Sequence, residues 1–365
     1  MADEILAVVV DTGSYKVKAG FSGADAPQVT FRSLAAYGEG VDVEVGPNAV
    51  SKIGSLPIMH PVQHGIVRNW ALAERIWRHV YNELKASPIE HPVLLSEPPL
   101  NPKLHRERIC QLFFESFDVP GLYMAPSSLL ALYGSAKTTG LVLDIGEGVA
   151  HTVPISDGTI IPHAVGRLDV GGYDVTSNLL ASIPSLNHES PMDREIANNI
   201  KETCCYVSSD YHEDIKNAQR NPESFSKRYT LPDGSVITLS KECFHCPEML
   251  FNPEAGGRNS PRLVDSIYHS IRGCEPELHR NLFSNILLTG GSSLFSCFPE
   301  RCEKDIRELV NGNANVKVHH GSKNRDTTVW VGGSVVAALS TFQQMWVTRA
   351  DYDESGPTVI HRKCF

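Results

Sequence analysis

Three segments of the chain share one pattern: an apolar run that leads into a short polar turn containing glycine. The runs cover residues 6–10, 141–143 and 286–288. Apolar runs of this length bounded by glycine predict central strands of a sheet that is covered on both faces. In the first two segments an Asp ends the strand, a glycine follows, and apolar residues return. Each therefore predicts a β-hairpin whose tip presents a carboxylate and backbone N–H groups.

Apolar residues spaced for helices lie between these strands. Leu72, Ile76, Val80 and Leu84 form one apolar stripe at helical spacing. Asn101-Pro102 predicts the start of a second helix, with Asn101 as the cap and Pro102 in the first turn. A third helix is predicted over residues 193–207. Alternating strands and helices predict an α/β fold, and the two similar hairpins predict two related halves.

Composition narrows the class of protein. The chain has 365 residues, and 33 Lys and Arg against 42 Asp and Glu leave a net charge of −9. An acidic chain without a basic tract is a poor candidate for direct binding to nucleic acid. No early apolar run is long enough for a membrane span or a signal peptide, so we expect no membrane insertion and a cytoplasmic or nuclear location. The nine cysteines are interpreted as free thiols, because Cys243-Phe-His-Cys246 lacks the second ligand pair of a zinc site.

The two hairpin tips and a third turn predict a phosphate site. Backbone N–H groups converge at glycine-rich tips, and carboxylates such as Asp11 and Asp144 can hold a hydrated Mg²⁺. Lys18 could neutralise a phosphate oxygen, although a single lysine in such a position is more often a surface residue. The Gly290-Gly291 turn would be a third contact. Neither a Walker-type loop nor a dinucleotide-binding loop follows a strand.

Longer strings of residues resemble actin and the actin-related proteins, and the similarity covers essentially the whole chain. The end of the sequence is the most specific part. The matching strings are Asp11-Thr-Gly-Ser14, Lys18-Ala-Gly-Phe21, His64-Gly-Ile-Val67, Pro99-Leu-Asn-Pro-Lys103, Leu231-Pro-Asp-Gly234, Cys246-Pro-Glu248, Ser340-Thr-Phe-Gln-Gln-Met-Trp346, Asp351-Tyr-Asp-Glu-Ser-Gly-Pro357 and His361-Arg-Lys-Cys-Phe365.

The resemblance implies an actin-like ATPase fold. In that fold two ribonuclease-H-like lobes, each with a smaller subdomain, surround a nucleotide cleft. By position, the first lobe would comprise residues 1–134 and 328–365, with a small subdomain at 33–60. The second lobe would comprise residues 135–327, with a small subdomain at 171–258.

The resemblance also implies ligands and residue roles. ATP or ADP would be bound with Mg²⁺ or Ca²⁺, and Asp11 and Asp144 would hold the metal through water. His151 would help to order the attacking water, although it could instead be a core histidine. The nucleotide contacts would be Asp11, Gly13, Ser14, Lys18, Gly146, Glu147, Gly148, Gly172, Lys201, Glu202, Gly290, Gly291 and Phe295.

Several residues depart from the family pattern at this site. Ser127 stands where the family has the glutamine that positions the hydrolytic water, and Tyr15 replaces a glycine beside the γ-phosphate. Glu147 replaces an aspartate, and Asn198 and Asp326 replace basic groups near the adenine. These changes predict weaker nucleotide binding and slow hydrolysis.

Two loops used in actin filaments are also reduced. The segment between Phe31 and His60 is shorter than in actin, and the loop over residues 254–261 replaces an apolar plug with polar residues and glycine. The family's partner cleft keeps apolar or small lining, although these residues could simply be core: Tyr133, Leu339, Met345 and Val347.

Three function classes follow. The first is an actin-like ATP-binding cytoskeletal protein of the cytoplasm, with slow hydrolysis and reduced self-polymerisation. Its partners would be other actin-like subunits or actin-binding proteins. The second is a non-polymerising actin-related subunit of a larger complex, chromatin remodelling or motor-associated, which would permit a nuclear location. The third, a kinase of the same superfamily, is disfavoured by the end of the sequence.

Overall fold

The computed structural model describes residues 5–38, 40–312, 314–321 and 324–364. The strands are β1 (Val8–Thr12), β2 (Lys16–Phe21), β3 (Val29–Arg32), β4 (Ala35–Gly38), β5 (Val41–Val45), β6 (Ile58–Met59), β7 (Val62–Gln63), β8 (Ile66–Val67), β9 (Val93–Glu97), β10 (Gly121–Pro126), β11 (Gly140–Ile145), β12 (Ala150–Ser156), β13 (Thr159–Ile160), β14 (Gly166–Leu168), β15 (Lys227–Thr230), β16 (Val236–Leu239), β17 (Ile286–Thr289), β18 (Val318–His319) and β19 (Val347–Thr348). The helices are α1 (Pro47–Val50), α2 (Trp70–Leu84), α3 (Lys103–Glu115), α4 (Ser127–Gly134), α5 (Gly172–Ser182), α6 (Pro191–Cys204), α7 (Tyr211–Arg220), α8 (Glu242–Glu248), α9 (Leu263–Arg272), α10 (Pro276–Ser284), α11 (Phe298–Leu309), α12 (Thr328–Ala338), α13 (Arg349–Ser355) and α14 (Ile360–Lys363). The predicted α/β class is confirmed.

The chain forms two compact units. Unit 1 contains residues 1–142, 155–162 and 326–365, and unit 2 contains residues 143–154 and 163–325. The lobe boundaries that the resemblance implies stay a prediction, and residue 39 of the small subdomain at 33–60 lies outside the described residues.

A six-stranded sheet forms the centre of unit 1. Its order is β19-β10-β9-β1-β2-β3, in which β1 pairs antiparallel with β2 and parallel with β9. The side chains of Val8, Val9 and Val10 are at most 1% exposed, because helices cover the sheet. This confirms the expected buried strand and hairpin, and it places Asp11 at the carboxyl end of β1 beside the end of β9.

Two helices of unit 1 pack with their backbones in contact. A Cβ atom at Gly332 of α12 would lie 1.8 Å from the carbonyl oxygen of Leu130 in α4. Only glycine permits this approach. The close packing holds Trp330 of α12 against β1, where its Nε1 donates to the Val9 carbonyl oxygen at 3.0 Å.

A second sheet carries the second hairpin. Strands β12, β11, β17 and β18 lie side by side in that order, and β14 pairs antiparallel with β12. Strand β17 is fully buried and parallel to β18. The second hairpin and the Gly290-Gly291 turn therefore lie at the ends of neighbouring strands β11 and β17.

Two predicted helices have different ends from those expected. Pro102 is the N-cap of α3 rather than its first residue, because the Asn101 side chain donates to Glu97 Oε2 at 3.0 Å instead of capping the helix. Helix α6 begins at Pro191 and is capped by Ser190, whose Oγ accepts from the Asp193 amide at 3.2 Å.

The cysteines are thiols, as expected, and eight of the nine are buried, Cys297 being exposed. Among the residues that the structure describes, no group of three or more His, Cys, Asp or Glu side chains could hold a metal ion. In the same ranges, every helix is too short or too polar to cross a membrane.

Candidate functional site

The first hairpin fixes a carboxylate at the end of β1. Asp11 pairs with Lys18 in the antiparallel register, and Lys18 Nζ lies 3.0 Å from Asp11 Oδ2. Ser96, at the end of β9, donates to Asp11 Oδ1 at 2.6 Å. Both Asp11 and Lys18 are only 9% exposed. Both oxygens of the Asp11 carboxylate are thus engaged, which fixes its orientation. A carboxylate fixed in this way suits a metal ion that is held through its water ligands.

The tip of this hairpin is held from two sides. The Gly13 amide donates to the Lys16 carbonyl oxygen at 3.1 Å, which closes the turn. Ser14 Oγ accepts from the Gly65 amide at 2.9 Å, so that the hydroxyl hydrogen of Ser14 is left to donate to another acceptor. The geometry suits a hydroxyl that contacts a phosphate oxygen.

Tyr15 has a partner that the sequence did not reveal. The guanidinium carbon of Arg32, in β3, lies 4.0 Å from the centroid of the Tyr15 ring. The Tyr15 carbonyl oxygen accepts from the Ser33 amide at 2.8 Å. The ring at the hairpin tip is therefore stacked against the neighbouring strand, an arrangement that cation–π attraction stabilises.

In unit 2 the second hairpin tip is clamped by two other segments. The Gly146 carbonyl oxygen accepts from the Gly172 amide at 3.1 Å and from Ser292 Oγ at 2.8 Å. The Tyr173 amide donates to the Glu147 carbonyl oxygen at 2.7 Å. These bonds bring the start of α5 and the turn after β17 to the second hairpin, so that residues far apart in sequence form one polar cluster.

Gly290 makes a close approach that only glycine allows. Its φ is 86°, and a Cβ atom there would lie 2.3 Å from the Ile145 carbonyl oxygen and 2.6 Å from Asp144 Oδ1. The bare backbone lets the end of β17 lie against the Asp144 carboxylate. The structure thus brings together two of the predicted site residues of unit 2.

Lys201 contacts two more of the predicted residues. Its Nζ donates to the Gly172 carbonyl oxygen at 3.1 Å and lies 3.7 Å from Glu147 Oε2. Lys201 is 6% exposed. Glu202, one residue later, is exposed, and its Oε1 accepts from Asn198 Nδ2 at 3.2 Å. The buried cation therefore neutralises Glu147 next to the glycine turn that begins α5.

The remaining predicted residues of this site lie close by in sequence. Gly148 is half-buried at the second hairpin tip, next to Glu147. Gly291 begins the short helical turn after β17, and Phe295, directly after that turn, is half-buried. An aromatic side chain of this kind suits contact with a flat ligand.

His151 is buried in β12 and is neutral at physiological pH. It lies opposite Arg167 of β14 and is 6% exposed. Burial, with a smaller contribution from the charge of Arg167, lowers the pKa of His151 to about 4. A neutral imidazole can exchange hydrogen bonds with water in both directions.

This shift predicts a pH dependence of stability. The pKa of His151 is about 4 in the folded protein, against 6.5 for an unperturbed histidine. Between pH 6.5 and pH 4 the unfolded chain therefore binds a proton at this position, and the folded protein does not. Stability should fall by about 1.4 kcal/mol per pH unit, about 3 kcal/mol in all. Urea titrations from pH 7 to pH 4 should show a shallower loss for His151→Gln. The same substitution at the exposed His188 is the control, and equal slopes in both variants would refute the assignment.

Ser127 lies in unit 1, where it begins α4 directly after β10, and it is half-buried. Its predicted place beside the hydrolytic water stays a prediction. Ser96 and Ser292, which hold Asp11 and Gly146, are not among the site residues predicted from the sequence. Ser96 could have been found, because the carboxyl ends of parallel neighbours meet at one sheet edge.

The four residues of the predicted partner cleft differ in exposure. Leu339 is 50% exposed, and Tyr133 and Met345 are half-buried. Val347 is fully buried in β19, which pairs with β10. Val347 therefore contributes to the core of unit 1, and Leu339 offers the largest accessible apolar side chain of the four.

A family model described as Actin matches residues 2–365 of the chain. The match extends over both units and all of the site residues described above.

Proposed function

Because the chain belongs to the actin family, we propose that it binds ATP or ADP together with Mg²⁺ or Ca²⁺ as an actin-like cytoskeletal protein. The observation that carries this proposal is Asp11, whose carboxylate is fixed by Lys18 and Ser96 at the end of β1. The second hairpin supports it with a tip clamped by α5 and by the turn after β17.

The proposed roles follow from the chemistry of each group. Asp11 and Asp144 hold the hydrated cation through water, since Mg²⁺ keeps most of its water ligands. Ser14, Lys18 and the backbone of Gly13, Gly146 and Gly148 contact the phosphates. Glu147, between Gly146 and Gly148 at the second hairpin tip, is a further proposed nucleotide contact. The residues proposed to contact the nucleoside are Gly172, Lys201, Glu202, Gly290, Gly291 and Phe295.

A thermal or chemical denaturation assay tests nucleotide binding. Mg²⁺·ATP at a hundredfold excess over Kd should raise the free energy of unfolding by about 2.7 kcal/mol. Ser14→Ala and Lys18→Met should reduce this gain, and Lys103→Met, at an exposed lysine of unit 1, should retain it. An unchanged unfolding midpoint of the wild-type protein at saturating Mg²⁺·ATP would overturn the proposal. Asn198 and Asp326 lead us to expect weaker binding than that of actin.

We further propose that hydrolysis is slow, with His151 and Asp144 as the remaining groups near the reacting water. A serine side chain is too short to take over the water contact of a glutamine. Ser127→Gln should therefore accelerate phosphate release in single-turnover experiments by about tenfold or more. Ser128→Ala is the matched control, because the Ser128 hydroxyl is buried and has no hydrogen-bond partner among the described residues. An unchanged rate in Ser127→Gln would show that Ser127 does not limit hydrolysis, and Tyr15 would be the next residue to test.

We also propose reduced self-polymerisation. A stable subunit contact buries about 1,000 Å² or more around an apolar centre. In this chain the loop over residues 254–261 is polar, and its Arg258 forms an ion pair with Asp174 of α5. A loop attached to its own unit offers little apolar surface to a neighbouring subunit.

The second candidate is a non-polymerising subunit of a larger complex, and the same Arg258–Asp174 ion pair favours it. Its partner would bind near Tyr133, Leu339 and Met345, and its location could be nuclear rather than cytoplasmic. Electron microscopy and sedimentation with ATP, Mg²⁺ and salt distinguish the two. Long filaments without a partner would support a conventional cytoskeletal role, and their absence at high concentration would support the second candidate.

A further inference from the structure

A cavity of about 30 Å³ lies in unit 1, at the carboxyl ends of β1 and β9. Residues of these two strands, of α2, of α3 and of the segment that contains β7 and β8 line it. Much of the lining is apolar, but it includes the side chains of Thr12, Glu97 and His105. A cavity of this size has room for about two water molecules.

We propose that ordered water fills this cavity and that one water molecule bridges Thr12 to Glu97. The ends of β1 and β9 are then joined through water on one face of the sheet. This inference concerns the internal structure of unit 1, and it holds whether or not the protein binds a nucleotide.

The strand register brings Thr12 and Glu97 together. β1 and β9 are parallel, and Val10 lies opposite Leu95. Thr12 and Glu97 end the two strands, two residues further on, so that the same register places them opposite each other. Residues two apart along a strand point to the same face, and neighbouring strands lie about 4.8 Å apart. One water molecule therefore fits between the hydroxyl and the carboxylate.

Both side chains have hydrogen-bonding capacity left for this water. Thr12 Oγ1 accepts from Trp77 Nε1 at 3.0 Å, and in the described part of the chain its own hydrogen has no acceptor. Glu97 Oε2 accepts from Asn101 Nδ2 and from Arg106 Nε, each at 3.0 Å, whereas Oε1 has no hydrogen bond to a described residue. A water that accepts from Thr12 and donates to Glu97 Oε1 uses both free positions.

The burial of Glu97 makes this water favourable. Glu97 is 5% exposed, and burial raises the pKa of its carboxyl above 4.5, with Arg106 opposing the shift. A carboxylate oxygen that is removed from solvent without a partner costs free energy, and an internal water recovers part of that cost.

A neutral occupant fits better than a cation. Arg106 already pairs with Glu97 at 3.0 Å, so that the carboxylate has its counter-charge. His105 adds a further polar group to the lining, because its imidazole makes no hydrogen bond to any residue that the structure describes and its Nδ1 is buried. The edge-to-face contact with Trp70, at 5.3 Å between ring centroids, holds this imidazole in place. Polar groups of this kind favour a wet cavity over an empty one.

The bridge would complete a link that exists on the other face of the sheet. There Ser96 donates directly to Asp11 Oδ1 at 2.6 Å. Asp11 and Ser96 immediately precede Thr12 and Glu97, so that the two strand ends would be joined directly on one face and through water on the other.

Crystal structures of the full-length protein, at a resolution that shows ordered water, test the proposal. The expected result is a water peak about 2.7–3.2 Å from both Thr12 Oγ1 and Glu97 Oε1. Crystals pressurised with xenon separate a wet cavity from a dry one, because dry apolar cavities bind xenon. We expect no xenon at this place in the wild-type protein. Xenon in the cavity, a cavity without water, or a direct hydrogen bond between Thr12 and Glu97 would overturn the proposal.

A matched pair of variants tests the bridge itself. Thr12→Val keeps the shape of the side chain but removes the hydroxyl, and we expect the bridging peak to be lost. Thr30→Val makes the same change at an exposed position of β3 in the same sheet, and it should retain the peak. A peak of unchanged occupancy in Thr12→Val would contradict the bridge. The wild-type maps decide the matter if Thr12→Val does not fold.

Discussion

Replacing Arg301 with alanine is expected to lower the free energy of unfolding by about 3–5 kcal/mol, because it leaves a buried carboxylate without its cation. Arg301 of α11 donates to Glu248 Oε1 at 3.0 Å and Oε2 at 3.1 Å, and to Asp305 Oδ2 at 2.8 Å. The Glu248 side chain is only 3% exposed. Urea unfolding at pH 7 measures the loss.

The pH dependence of this variant follows from Glu248. Burial raises the pKa of Glu248 above its ordinary value of 4.5, and Arg301 partly opposes the shift. Without Arg301 the pKa rises further, so that the folded variant takes up a proton as the pH falls, at a pH where the unfolded chain does not. The stability deficit should therefore shrink from pH 7 towards pH 5. A deficit that grows on acidification would contradict this interpretation.

Arg307→Ala is the matched control on the same helix. Arg307 pairs with Glu303 at 2.6 Å, but its side chain is 57% exposed. Exposed pairs of this kind contribute about 0.3–0.5 kcal/mol. Comparable losses in the two variants would show that burial of the carboxylate is not the cause.

The second large effect is expected at Gly290. An alanine there would place its Cβ 2.3 Å from the Ile145 carbonyl oxygen, at a φ of 86°. Strain in the left-handed region and overpacking each cost about 1–3 kcal/mol, which together give about 2–6 kcal/mol. Since the clash displaces β17 from Asp144, we also expect a smaller stabilisation by Mg²⁺·ATP.

Gly291→Ala tests whether the position or the substitution matters. A Cβ atom at Gly291 would meet no heavy atom within 4 Å. We expect Gly291→Ala to change the free energy of unfolding by less than about 1 kcal/mol. Two variants that are equally destabilised would show that the turn as a whole is intolerant, and that the contact of Gly290 with Ile145 is not its cause.

The parts of the fold that follow from local pattern could be predicted. Apolar runs and an Asp-x-Gly turn were sufficient to predict both hairpins from the sequence, because the register and the chain reversal of a hairpin depend on residues that are close in sequence. The stripe of Leu72, Ile76 and Val80 likewise predicted α2. The exact start of α3 could not be predicted, because Asn101 bonds to Glu97 instead of to the helix.

Contacts between distant segments account for the rest of the site. Ser96 reaches Asp11 across 85 positions of the chain, and Ser292 reaches Gly146 across 146. The local pattern around Ser292 does not indicate its partner, and Ser96 can be linked to Asp11 only once β1 and β9 are taken as parallel neighbours. The burial of Val347 has the same origin, since its pairing with β10 is set by the sheet order.

The stacking of Arg32 on Tyr15 couples these two positions energetically. Arg32 lies opposite Lys16 in the sheet, one residue from the ring it covers. A glycine at position 15 would offer Arg32 no aromatic face, and a tyrosine without Arg32 would lack about 0.5–2 kcal/mol of cation–π attraction. Replacing Tyr15 with glycine alone therefore leaves the Arg32 guanidinium without its aromatic partner, so the energetic cost of a change at either position depends on the residue at the other.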